Sequence, residues 1–241
     1  MNKVYACSDS HGCLDLWNLI SDYCDDTDII YFLGDAADRE RHGLKLIQTL
    51  LCDPRVKYIK GNHEDIFVLV GSEMLEGIDL HFNLWIANGG YCTMTDFSNM
   101  EDEQQKKILK ELQQLPLTAE YVNAQGIKIK MSHSGWFPKK DSKLKEEEIK
   151  EYFLWDRSHF NLFPVEEENT IIVHGHTPVP SLDHYKWNES PIKVDEVFFY
   201  DNNTKIDIDI GSFYSDKAAL IDLDTFEVKY FQTEEDNDKY E

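Results

Sequence analysis

Lys3-Val4-Tyr5-Ala6-Cys7 runs straight into Ser8-Asp9-Ser10-His11-Gly12, an apolar strand breaking into carboxylate and imidazole. The pattern returns twice before residue 65: Ile29–Leu33 leads into Gly34-Asp35, and Val56–Ile59 leads through Lys60 into Gly61-Asn62-His63-Glu64. Asp9, Asp35 and Asn62 are 26 and 27 residues apart, about the length of one strand–helix–strand unit. Successive units of that kind lay their strands side by side and parallel. The three polar breaks are therefore predicted to share one sheet edge, where open α/β sheets bind their ligands. Carboxylate, imidazole and amide oxygen without thiolate suit hard or borderline divalent metals.

Two later segments repeat the signal. Ile127–Met131 ends in Ser132-His133-Ser134-Gly135, and Thr170–Val173 ends in His174-Gly175-His176-Thr177. A single histidine at a strand end is more often a satisfied structural residue than a ligand. Five strand ends that each deliver Asp, Asn or His are hard to explain by packing alone.

The blocks Asp9-x-His11-Gly12, Gly34-Asp35-x-x-Asp38-Arg39, Gly61-Asn62-His63-Glu64, His133 and Gly175-His176-Thr177 resemble the signature set of the metallophosphoesterases. More narrowly they are similar to the phosphoprotein phosphatase branch, with the bacteriophage lambda and bacterial serine/threonine phosphatases. Trp85-Ile86-Ala87-Asn88-Gly89-Gly90, Leu115-Pro116-Leu117 and Leu154-Trp155-Asp156-Arg157 extend the likeness over nearly the whole chain. The resemblance implies an α/β fold, an αββα sandwich of two mixed sheets with helices outside.

It also implies two divalent metal ions, manganese first, with iron or zinc as alternatives. Asp35 would bridge them; Asp9 and His11 would complete one ligand set, and Asn62, His133 and His176 the other. Arg39, Arg157 and Asn62 would meet the substrate phosphate. His63, held by Asp38, would protonate the leaving group while a hydroxide bridging the two ions attacks phosphorus. His174 precedes the Gly175-His176-Thr177 block and reads as a neighbour of the site. The chain departs from the resemblance at Glu40, a carboxylate where the block usually carries glycine.

Three functions compete on this reading. A serine/threonine protein phosphatase leads. A symmetrical diadenosine tetraphosphate hydrolase, or another small-molecule phosphatase, is the alternative, disfavoured by Asp38 and by Glu64. An inactive binding protein of the same fold fits poorly with a complete ligand set.

The chain has 241 residues and a formal charge of −22, which argues against a nucleic-acid partner because phosphate backbones need a basic field. Phosphoprotein or small phosphate-ester partners remain, with the ions, Arg39 and Arg157 making the cleft locally positive within an acidic body. No apolar run approaches the roughly 18 residues of a membrane span. The N-terminus enters a strand with no charged-then-apolar leader. Five cysteines at 7, 13, 24, 52 and 92 form no metal-knuckle spacing, and Cys7 and Cys52 read as small core residues. A reduced, cytoplasmic protein is expected.

Apolar periodicity predicts helices over Cys13–Cys24, Arg41–Leu51, Glu64–Val70 and Asp102–Leu115. Residues 71–115 read as a mostly helical cap. Strands are predicted at Thr118–Val122, Val197–Tyr200, Lys205–Ile210, Ala218–Leu223 and Glu227–Phe231, with Asp201-Asn202-Asn203-Thr204 turning a hairpin. No linker divides the chain, so one domain over 1–241 is expected. A charged excursion spans Pro138–Glu151, and an acidic tail begins near Thr233.

Overall fold

The three opening units fold as β1 (Val4–Cys7), α1 (Leu14–Tyr23), β2 (Ile29–Phe32), α2 (Gly43–Cys52), β3 (Val56–Tyr58) and α3 (Asn62–Leu75). The computed structural model describes residues 2–136, 145–158, 160, 165, 167–185 and 192–233, the side chains of 183–185 excepted. Residues 138–144 of the charged excursion and the tail beyond Thr233 lie outside these residues. Strand β1 pairs with β2 and β2 with β3, all parallel, Val4 opposite Ile29 and Ile30 opposite Val56. The carboxyl ends of all three therefore lie on one edge.

Helices α4 (Phe82–Ala87), α5 (Tyr91–Ser98) and α6 (Asp102–Gln113) follow. After them come β4 (Thr118–Val122), β5 (Lys128–Ser132), α7 (Glu146–Trp155), β6 (Thr170–His174) and a 3-10 helix at Val179–Tyr185. The chain ends in β7 (Phe198–Tyr200), β8 (Lys205–Asp207), α8 (Ser212–Ser215), β9 (Lys217–Asp222) and β10 (Val228–Gln232).

Two five-stranded mixed sheets result, ordered β10-β9-β1-β2-β3 and β4-β5-β6-β8-β7. Strands β5, β6 and β8 run parallel, and β7 turns back on β8 as the predicted hairpin.

The two-residue period of a strand assigns each side chain to a layer. Val4 and Ala6 enter the core between the sheets with Leu33, Ile129, Met131, Val173 and Ile206. Tyr5, Cys7, Ile30 and Phe32 point the other way, into a core shared with Leu16, Trp17, Ile20, Leu46, Ile47 and Phe67 of the helices. On the far face of the second sheet, Phe198 and Tyr200 pack with Phe160, Val179 and Leu182. This is the αββα layering. Among the described residues no helix is long and apolar enough to cross a membrane.

Three local expectations change. Strand β8 ends at Asp207 because aspartate side chains take over the backbone bonds: Asp209 N–H donates to Asp207 Oδ1 at 3.1 Å and Gly211 N–H to Asp209 Oδ1 at 2.9 Å. Helix α3 begins two residues early, at Asn62, and continues past Gly71, where a Cβ would crowd Leu109 of α6. Close packing of the two helices outweighs the cost of glycine inside one of them. Cys52 is exposed, since the buried face of α2 is set by Leu44, Leu46, Ile47 and Leu50 and the last residue falls off it.

Candidate metal centre

At each strand end the chain must turn at once while presenting a side chain to the common edge. It does so through left-handed backbone at Asp9 (φ 53°), His11 (40°), Asp35 (58°), Asp38 (69°), Arg39 (66°) and His176 (74°). Non-glycine residues adopt this region at a cost on the order of 1 kcal/mol or more each, so the surroundings must enforce it. Glu64 does much of that for the central loop. Its fully buried carboxylate accepts N–H bonds from Asp35 (2.8 Å), Ala36 (2.9 Å), Ala37 (3.2 Å) and Gly61 (2.9 Å). Side chains are also excluded where the loops touch: a Cβ on Gly61 would collide with Asp35, and one on Gly175 with Asp9.

Two donor groups converge on Asp35. In one, His11, Asp35 and His63 offer ligand atoms within 4.8 Å of one another; in the other, Asp35, His133 and His176 do. Asn62 joins the second, its Oδ1 2.8 Å from His133 Nε2 and 2.9 Å from His176 Nδ1. His133 Nε2 is 3.4 Å from Asp35 Oδ2, and His11 Nε2 is 3.8 Å from the same oxygen. Asp9 stands outside both groups. Its carboxylate accepts the His176 N–H at 3.1 Å and the Ser8 hydroxyl, so here it buttresses the second loop.

The donor set fits divalent cations. His11 Nδ1–H donates to Ala37 O at 3.0 Å and His133 Nδ1–H to Leu33 O at 2.9 Å. Those bonds leave each Nε2, with its lone pair in the neutral ring, turned toward Asp35, the outer-sphere arrangement usual for metal-bound histidine. Among the described residues, the buried Nε2 of His176 has no hydrogen-bond partner.

The pocket holds its imidazoles in different states: burial, then the neighbouring His63 and His133, keep His11 and His176 well below the usual imidazole range. Burial alone would depress the His133 imidazole, yet Asp35, a hydrogen bond with it and Asp9 raise it to about 10. Burial, then the charge of Asp209, pushes the Asp9 carboxyl well above the usual carboxylate range. Burial works against ionised Asp35 too, but the surrounding histidines hold it well below. A pocket that crowds carboxylates and bare ring nitrogens this way suits two cations better than it suits itself.

Beside the pocket, His63 Nδ1 lies 2.8 Å from Asp38 Oδ2, with both residues buried, while Nε2 faces Asp35 Oδ2 at 3.8 Å. Burial lowers the His63 pKa, but the carboxylates of Asp35 and Asp38 more than offset this and raise it. Half-buried Arg39 lies over the Phe213 ring at 5.8 Å, and its charge bears on both His11 and His63. The Arg157 charge bears on His176, whose ring also meets the Trp155 edge at 6.0 Å. The two guanidinium groups thus approach from different elements. His174 is turned away, its Nε2 2.6 Å from the Tyr200 hydroxyl.

Some of the machinery escapes the sequence. Glu64 reads as an ordinary first-turn acid of a helix, although its spacing three residues after Gly61 is a capping signal. Asp209 carries no motif that singles it out; burial pushes it up to about 6, and it faces the charges of Arg39 and Asp35.

Comparison with known proteins agrees with this geometry. The calcineurin-like phosphoesterase profile matches residues 2–210. No curated protein matches the chain by sequence. Among solved structures, a provisionally assigned diadenosine tetraphosphatase superposes with a TM-score of 0.63 at 12% identity, covering 95% of this chain and 93% of the other. A serine/threonine phosphatase from Saccharomyces cerevisiae gives 0.57 at 15% identity, over 98% of this chain and 82% of that one. A metallophosphoesterase from Sphaerobacter thermophilus gives 0.55 at 16% identity, over 97% and 88%. At these identities the likeness to each structure is one of fold. The profile match spans most of the chain, and with it the protein belongs to the calcineurin-like phosphoesterases, hydrolases of phosphate esters that work with a dinuclear metal centre.

Proposed function

We propose that the protein is a dimetal-dependent phosphomonoesterase acting on phosphoserine and phosphothreonine in proteins. The observation that carries this reading is the 2.8 Å contact between His63 Nδ1 and Asp38 Oδ2 beside the donor cluster. A seryl or threonyl alkoxide is a strongly basic leaving group and needs a proton as the P–O bond breaks. A nucleoside polyphosphate, released by cleavage of a phosphoanhydride, leaves without one. An acid tied to a buried carboxylate therefore supports the monoester over diadenosine tetraphosphate.

Asp9, His11, Asp35, Asn62, His133 and His176 would hold the two ions, with manganese favoured and iron or zinc fitting the same donors. Such ions supply Lewis acidity to the phosphoryl oxygens and make water a stronger acid. Arg39 and Arg157 present planar donor forks to the remaining phosphoryl oxygens and orient the ester. Asp38 accepts the His63 Nδ1–H, which keeps the ring oriented with Nε2 toward the cleft. His63 Nε2–H passes to the seryl oxygen as the bond from that oxygen to phosphorus breaks, while the attacking water releases a proton to solvent as its oxygen bonds phosphorus. Burial of both residues keeps solvent from short-circuiting that transfer. Five free cysteines support a reducing, cytoplasmic setting.

The test compares a phosphoserine peptide, diadenosine tetraphosphate and p-nitrophenyl phosphate, each with Mn²⁺. A higher kcat/KM for the peptide than for the dinucleotide supports the proposal. The reverse order overturns it in favour of the small-molecule hydrolase.

A further inference from the structure

We propose that Trp85 is a positioning residue for the proton donor, completing a Trp85–Asp38–His63 chain. Its indole Nε1–H donates to both Asp38 oxygens, at 3.0 Å each, while Asp38 Oδ2 meets His63 Nδ1 at 2.8 Å. A buried tryptophan needs one acceptor for its N–H, and a backbone carbonyl usually serves. Here the N–H is spent across a carboxylate that has a second, chemical task.

The indole is itself held in place. Trp85 is fully buried and stacked on Phe67, ring centroids 4.9 Å apart and planes 26° from parallel. Phe67 lies on α3, the helix that opens with Asn62 and His63, so one helix sets the acid and the ring that restrains its partner.

The same segment grips the Asp38 backbone. Asp38 and Arg39 are consecutive left-handed residues, and Asp38 N–H donates to Thr93 Oγ1 at 3.0 Å and Arg39 N–H to Gly89 O at 2.9 Å. Residues 85, 89 and 93 of the α4–α5 segment thus hold a strained two-residue turn at three points. Without the indole N–H, the Asp38 carboxylate would be free to rotate about its last bond. The Nδ1 contact that aims His63 Nε2 at the leaving oxygen would loosen with it. Trp85 touches neither substrate nor metal ligand in this scheme and acts only through Asp38.

The inference rests on the reading of His63 as the acid, so the test includes His63→Asn beside two Trp85 variants. Trp85→Phe keeps a stacked ring and loses the N–H. Site-specific replacement of Trp85 by benzothienylalanine exchanges only the N–H for sulfur and preserves the packing. Rates of the Mn²⁺-loaded proteins are measured on a phosphoserine peptide and on p-nitrophenyl phosphate, whose leaving group departs unprotonated.

Both Trp85 variants are expected to lose about tenfold more on the peptide than on the aryl ester, a fraction of the loss from removing the acid itself. In an Asp38→Asn background the Trp85 substitutions are expected to add no further discrimination. If His63→Asn discriminates between the substrates and the benzothienylalanine variant does not, the Trp85 proposal is overturned and the acid stands. If His63→Asn itself shows no discrimination, the acid reading fails and the positioning role falls with it.

Discussion

His133 Nε2 and His176 Nδ1 face each other across 3.2 Å, both against the single amide oxygen of Asn62. Two ring nitrogens and a carbonyl oxygen cannot all be satisfied by one another, since the set holds more lone pairs than protons when the rings are neutral. A cation resolves the conflict. Adding Mn²⁺ to chelated protein is therefore expected to raise its melting temperature, by the equivalent of roughly 2.7 kcal/mol at a hundredfold excess over Kd for each site. Asn62→Ala should remove a large part of the increment in a thermal-shift titration. An unchanged melting curve in the native chain would rule out tight binding here.

Glu64 accepts four backbone N–H groups that, among the described residues, bond to no other side chain, and it does so from full burial. Glu64→Gln keeps the volume but turns an amide NH₂ toward those donors. Loss of about 2 kcal/mol of stability is expected, in the range for orphaned buried donors. Because the bonds fix the Asp35 loop, metal content should fall in parallel. Denaturant unfolding and metal analysis on one preparation check both; a variant as stable as the native chain would show the loop to be held by other means.

The parts of the site legible in the sequence are those carried by local chain direction. Asp9, Asp35 and Asn62 each follow a short apolar run at a nearly constant spacing, and β1, β2 and β3 do lie adjacent and parallel. His133 and His176 are legible for the same reason at the ends of β5 and β6. The remainder depends on contacts between distant segments. Trp85 enters only as part of the block from Trp85 to Gly90, and nothing local says that its N–H meets Asp38, 47 residues earlier. Glu64 reads as a first-turn acid, while its partners at 35–37 are brought in only by the pairing of β2 with β3. The left-handed turns are hidden as well, because Asp, His and Arg at those positions are imposed by tertiary contacts and not by glycine. Asp9 adds a contact that the motif does not announce, since its carboxylate also accepts the His176 backbone N–H.

Away from the site, Asp53 and Arg55 tie the end of α2 to the end of α1. Arg55 Nη2 lies 2.7 Å from Asp53 Oδ2, both side chains 13% exposed, and Arg55 Nη1–H also donates to Ser21 O and Cys24 O. The hydrogen bond from Arg55 holds the Asp53 carboxyl below its ordinary value of 3.8. A depressed carboxylate stabilises the fold above its unfolded pKa, and that contribution is lost as pH falls through the folded value. Asp53→Asn should therefore cost about 1–2 kcal/mol at pH 7, with the difference narrowing below about pH 4. Urea unfolding at the two pH values would detect this, and a cost that persists undiminished in acid would exclude the ionic origin.

The central claim, a phosphatase whose activity is built on two ions shared through Asp35, is tested most directly by one titration. Chelated protein is given Mn²⁺ in sub-stoichiometric steps while inorganic phosphate release from a phosphoserine peptide is followed. The donor groups around His11, Asp35, Asn62, His133 and His176 predict no turnover at zero metal and a plateau at two equivalents per chain. Turnover without metal, or a plateau at one equivalent, would contradict the account.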